Sequence, residues 1–196
     1  TIYYQVNGTI QSSVGWSSSD NGNPNGNSCT FHDVDADGDL DVFIGGRAVT
    51  GHYPQASASM LLLNTTRSLE SAGGTLGQAL GLVNGAVFSD LDGDHFPELI
   101  VATEWGPVRV FKNTQGAFSE VTDALGLGGL TGLWQGVATG DFDGDGRTDI
   151  VATNWGLNSS LRPNVINPPR LYYNFTDSSE PTALILGAWD ERLKQY

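Results

Sequence analysis

Three stretches of the chain follow one template: aspartates at positions one, three and five and an Asp or Glu at position nine of a nine-residue run that leads straight into a short β-like segment. They are Asp33-Val34-Asp35-Ala36-Asp37-Gly38-Asp39-Leu40-Asp41, Asp90-Leu91-Asp92-Gly93-Asp94-His95-Phe96-Pro97-Glu98 and Asp141-Phe142-Asp143-Gly144-Asp145-Gly146-Arg147-Thr148-Asp149. Carboxylates this dense repel one another unless a cation lies among them. Alternate positions of a tight loop can aim their oxygens at one centre, which suits a hard, oxygen-seeking ion such as Ca²⁺. The same feature constrains the fold, because the first aspartates stand 57 and 51 residues apart. A period near 50 indicates propeller blades or a solenoid.

The residues around the loops favour blades. In the second unit residues 84–89 read as a strand, the acidic loop follows, and 99–103, 108–112 and 117–121 read as three further strands, with Asn113-Thr114-Gln115-Gly116 as a turn. The third unit repeats this as 136–140, loop, 150–153, a long insertion and 170–173. The first reads as 29–32, loop, 42–44, a long connection and 59–63. The expected fold is therefore all-β, with propeller blades of four antiparallel strands. The chain is expected to form one propeller segment over 1–196, with a partial unit at 1–15 and units at 28–71, 84–122 and 134–187. Residues 1–14 resemble the last two strands of a preceding blade, so the chain reads as a piece of something longer. Helical periodicity is nearly absent; only 68–80, 122–127 and 189–196 suit a turn or so of helix.

An EF-hand loop opens in the same way, but it needs a bidentate Glu at position twelve and flanking helices. The twelfth positions here are Ile44, Val101 and Ala152, inside apolar β runs. In a nine-residue loop, side chains at positions one, three, five and nine ligate and the carbonyl at seven completes the shell with water. That assigns Asp33, Asp35, Asp37 and Asp41 with the Asp39 carbonyl to the first site. The second takes Asp90, Asp92, Asp94 and Glu98 with the Phe96 carbonyl, and the third Asp141, Asp143, Asp145 and Asp149 with the Arg147 carbonyl. Position six is Gly38 and Gly146 in two loops, where a left-handed backbone is plausible, and His95 in the other. A degenerate fourth loop at 174–182 carries Asn, Thr, Ser and Thr at the ligand positions, too little charge for a strong Ca²⁺ site.

Thirteen of the 22 acids lie in the three loops, so three bound divalent ions would reduce the net charge of −13 to about −7. The acidic balance argues against nucleic acid or anionic lipid as a partner. No run approaches the ~20 apolar residues of a membrane span, so no membrane insertion is expected. Cys29 is the only cysteine, which leaves no intrachain disulfide; it is expected to be a small buried hydrophobe. Asn-x-Ser/Thr sequons at Asn7, Asn64, Asn158 and Asn174 lend weak support to a secreted glycoprotein.

These loops, with Leu99-Ile100-Val101-Ala102, Trp105-Gly106-Pro107-Val108-Arg109-Val110, Asn113 and Trp155-Gly156-Leu157-Asn158-Ser159, resemble the FG-GAP/VCBS repeat family. The family includes integrin α-subunit propellers and many bacterial secreted proteins, and the match is nearest its bacterial and cartilage-acidic-protein branch. The resemblance implies a propeller, usually of seven blades, with Ca²⁺ in the hairpin between the first and second strands of each blade.

Such a module offers a second face, built from the connections at the other ends of the strands. Trp16, His52, Tyr53, Trp105, Trp134 and Trp155 fall there and suit a saccharide or a protein loop. Trp105 and Trp155 follow the second strand at nearly the same offset, so packing between blades explains them equally well. The expected function is an extracellular, calcium-stabilised binding or adhesion module with a protein or glycan ligand. A structural unit self-associating through open blade edges is the alternative. Catalysis has thin support: the acids are committed to metal, His32, His52 and His95 form no cluster, and no Gly-x-Ser-x-Gly motif is present. A non-catalytic part of a polysaccharide-active enzyme, lyase-like, is the remaining reading.

Overall fold

The computed structural model describes residues 3–6, 9–12, 25–65, 68–156, 166–174 and 183–196, and these form antiparallel β structure without an α-helix. A first hairpin pairs β1 (Tyr3–Val6) with β2 (Thr9–Ser12). The first unit follows as β3 (Gly26–His32), β4 (Asp41–Gly46), β5 (Met60–Thr65) and β6 (Ser68–Ser71), each paired with the next. A single 3-10 turn, η1 (Thr75–Gly77), leads to the second unit. This comprises β7 (Leu82–Ser89), β8 (Glu98–Gly106), β9 (Val108–Thr114) and β10 (Ala117–Glu120), paired in the same sequential order. The third begins with β11 (Gly132–Gly140) and β12 (Asp149–Asn154), and β13 (Arg170–Asn174) pairs with β14 (Ala183–Gly187).

The all-β expectation therefore holds, and each acidic loop joins the first and second strands of its unit. Three details differ. Ser68–Ser71 is a strand rather than part of a helix: its Leu69 packs against Val42, Met60 and Leu62, and the run pairs with β5. Among the described residues the third unit's strands do not form one four-stranded sheet: β11–β12 continues the second unit's sheet through β8, and β13–β14 pairs apart from it. Cys29 is exposed, because its strand turns mostly outward. The other two helix suggestions are turns.

Strand alternation explains how the units stack. Successive side chains of a strand point to opposite faces, so each unit has two apolar faces. On β8, Leu99 and Val101 join Phe43, Leu61 and Val83 in a core between the first and second units. The residue between them, Ile100, joins Val108, Val110, Trp134, Ile150 and Ala152 in a core between the second and third. β8 is buried on both sides and so reads as a continuous apolar run, Leu99-Ile100-Val101-Ala102, all at 0% exposure. The first strands β3, β7 and β11 lie side by side. The approach of β7 to β11 is close enough that a Cβ on Gly85 would come within 3.1 Å of the Gly136 Cα.

Candidate metal centre

The template works as a folded loop because its aspartates accept from its own backbone. Asp33 Oδ1 accepts from Asp37 N at 3.1 Å and its Oδ2 from Gly38 N at 2.9 Å. Asp90 accepts from Gly93 N at 2.7 Å and His95 N at 2.9 Å. Asp141 accepts from Gly144 N, Asp145 N and Gly146 N at 2.7 to 3.1 Å. The first aspartate thereby winds positions four to six around itself. The position-five aspartates do the same one step on, Asp37, Asp94 and Asp145 each taking the N–H of position seven at 2.9 Å. Those bonds anchor the N–H of Asp39, Phe96 and Arg147, the residues whose carbonyls the sequence assigns to the ion.

Position nine closes the loop. Val34 N donates to Asp41 Oδ2 at 2.8 Å, Leu91 N to Glu98 Oε2 at 2.8 Å and Phe142 N to Asp149 Oδ2 at 3.0 Å. The same bond in all three loops ties the start of the second strand to the loop's second residue. The template does not reveal it, and the apolar residues at position two differ in burial, Val34 being buried and Phe142 59% exposed.

What remains of the carboxylates converges. Asp33, Asp35 and Asp37 each bring an oxygen within 4.8 Å of the others', as do Asp90, Asp92 and Asp94, and Asp141, Asp143 and Asp149. In the first loop Asp41 is fully buried, with its second oxygen accepting from Asn64 N at 2.8 Å. Burial pushes its carboxyl above the usual range, against the pull of the two backbone N–H groups. In the third loop Asp145 turns outward, where Arg147 donates from Nε at 2.8 Å and pairs with it through Nη2. The donors in each loop are hard oxygens only, and in the second one of them is orphaned. Glu98 is 2% exposed and its Oε1 accepts no hydrogen bond, standing 3.6 Å from the Lys112 ammonium. A buried carboxylate oxygen without a donor is costly unless a cation completes it. The converging oxygens of the first and third loops thus fit a Ca²⁺-type ion, which would cancel the repulsion there, whereas in the second loop the Lys112 ammonium already faces Asp92, Asp94 and Glu98.

At the opposite ends of the strands, Tyr53 and Trp105 belong to a hydrogen-bonded group between the first two units. Tyr53 Oη donates to Glu104 Oε1 at 2.6 Å, and Trp105 Nε1 donates to Tyr53 Oη at 2.5 Å. Arg47 Nη2 meets Glu104 Oε2 at 2.6 Å. Burial and the Glu104 carboxylate push the Tyr53 hydroxyl up to about 12. Trp105 also lines a cleft of about 430 Å³ with Leu130, Leu133, Trp134, Asn154 and Pro168. Trp134 donates from Nε1 to Leu130 O at 3.0 Å, and Trp155 is 56% exposed beside the cleft. His52 lies in a turn closed by its own backbone. Trp16, the degenerate loop beyond Asn174, and the sequons at Asn7 and Asn158 lie outside the described residues. Asn174 is exposed, whereas Asn64 is part-buried at the first loop.

No helix among the described residues is long and apolar enough to cross a membrane. No curated protein matches the chain. Residues 90–152 match the family model of the FG-GAP-like repeat. The matched span begins at the first aspartate of the second loop, takes in β8 to β11 and ends within β12, so this part of the chain is similar to an FG-GAP-like repeat that carries two of the three acidic loops.

Proposed function

We propose that this chain is a calcium-stabilised recognition module of an extracellular protein, with its ions structural and its ligand bound at the strand ends away from them. The observation that carries the reading is the threefold recurrence of one loop geometry: carboxylates converging at the same hairpin of successive units, with position nine tied back to position two. Acidic surface turns have no reason to repeat this bond. Extracellular calcium fills loops with affinities of roughly 10⁻⁴–10⁻³ M, which cytosolic calcium does not. Calcium at about 100 times Kd stabilises the fold by ~2.7 kcal/mol per site. Chelation should therefore lower Tm, and readdition should restore it. An unchanged Tm with the metal demonstrably removed would sink the reading.

The cleft that joins Trp105 to Trp134 supports recognition, because indole faces pack well against sugar rings and flat peptide groups. Titration of a glycan panel, read through tryptophan fluorescence, should find a ligand whose signal is lost in Trp134→Ala. A specific observation also favours the assembly reading. Tyr172, Leu184, Ile185 and Leu186 on the β13–β14 hairpin are 45 to 69% exposed, an apolar surface of the kind that pairs with another chain. Sedimentation decides between them: a dimer broken by Ile185→Lys speaks for assembly, a monomer for the recognition module.

A further inference from the structure

The second acidic loop differs from the other two in what reaches into it. The chain has two lysines, Lys112 and Lys194. Lys112 lies on β9, and its side chain extends to the loop of its own unit. Nζ donates to Asp94 Oδ2 at 2.7 Å, donates to Asp92 Oδ2, and stands 3.6 Å from Glu98 Oε1. Three carboxylates thus face the three protons of one ammonium group. The strand register puts no such residue against the first loop. Val42 pairs with Leu62 and Leu99 with Phe111, so Lys112 corresponds to Leu63 in the first unit. Counted back from the asparagine that follows (Asn64, Asn113, Asn174), the third unit has Tyr173 there.

The cluster alone would not locate a cation, but Glu98 Oε1 does: buried, without a hydrogen-bond partner, and directed at Nζ. A Ca²⁺ ion needs six to eight oxygens at about 2.3–2.6 Å, and Nζ already engages Asp92 and Asp94, two of the carboxylates the ion would draw on. Two cations within the same few ångströms repel, and the tethered one is always present.

We propose that the second loop carries its own cation: the Lys112 ammonium stands where a divalent ion sits in the first and third loops, so the chain holds two calcium ions instead of three and its middle unit is pinned without metal. The inference rests on the calcium reading of the other loops, and the test separates the two. Calorimetric titration counts ions per chain in the natural protein and in Lys112→Met. The expected result is one more ion in the variant. Equal counts, or three ions in the natural protein, overturn the role of Lys112. A natural protein that binds none sinks the calcium reading, while the difference between the two proteins still decides the lysine.

A second measurement needs no variant. Lys194 is 70% exposed and serves as an internal reference for acetylation. Lys112 should react more slowly than Lys194 with and without saturating calcium. If calcium raises Lys112 to the rate of Lys194, the ion has displaced it and the proposal fails.

Discussion

Loop positions four and six have a left-handed backbone in all three copies. Position six is Gly38 at φ 96°, His95 at φ 72° and Gly146 at φ 82°; position four is Ala36 at φ 63°, Gly93 at φ 79° and Gly144 at φ 81°. His95 thus bears the strain that its neighbours avoid, and its ring is 95% exposed. A left-handed non-glycine residue costs about 1–2 kcal/mol, while glycine's extra unfolded-state freedom returns roughly 0.5–1 kcal/mol. His95→Gly should therefore stabilise the fold by about 0.5–1 kcal/mol, seen as a higher urea midpoint at unchanged slope. The left-handed bend at position six was legible from Gly38 and Gly146. The Lys112 contact was not. It is read only once β9 is registered against β8, because within Val108-Arg109-Val110-Phe111-Lys112 the lysine looks like any outward strand residue.

At the scale of elements, the β9–β10 hairpin shows what an exposed pair adds to a strand ladder. Arg109 Nε and Nη2 clasp Glu120 at 2.8 and 2.6 Å, and Nη1 donates to Leu80 O at 2.8 Å, so one guanidinium ties the hairpin to the segment entering the unit. Arg109 holds the Glu120 carboxyl below its ordinary value of 4.5. A lowered carboxyl contributes stability above its unfolded value and loses it as pH falls through the folded one. Glu120 is 37% exposed, and screening limits the pair. Glu120→Gln should thus cost under about 1 kcal/mol at pH 7. The gap to the natural protein should narrow below pH 4.5 and close in more acid solution. A gap independent of pH in denaturant melts would mean that packing, not charge, is lost. Strand positions were legible because apolar runs follow each loop at fixed offset. Their ends were not: β8 extends to Gly106, beyond the run that ends at residue 103, because Glu104 and Gly106 pair with β11. The division of the third unit was equally hidden, since nothing in Arg170–Asn174 says which strand it will meet.

Across the whole molecule, the units share cores and also share their loops. Asn113 is fully buried at the end of β9, yet its Nδ2 donates to Val34 O at 2.8 Å, inside the first unit's acidic loop, while its Oδ1 takes Gly116 N at 2.8 Å. Val34 is the same residue whose N–H holds Asp41. A side chain of the second unit therefore positions the residue whose N–H orients a carboxylate of the first site. Outer partners of this kind affect metal affinity by about 10- to 100-fold. Asn113→Ala leaves a buried carbonyl and a part-buried N–H without partners, which should cost about 1–3 kcal/mol in denaturant melts. In a calcium titration the variant should show one site weakened about tenfold, that of the first loop, and the third-loop site unchanged. If both sites keep their affinity while stability falls, Asn113 only fills the boundary between units. If both weaken together, the loss has spread through the shared core and the coupling is not specific to Val34.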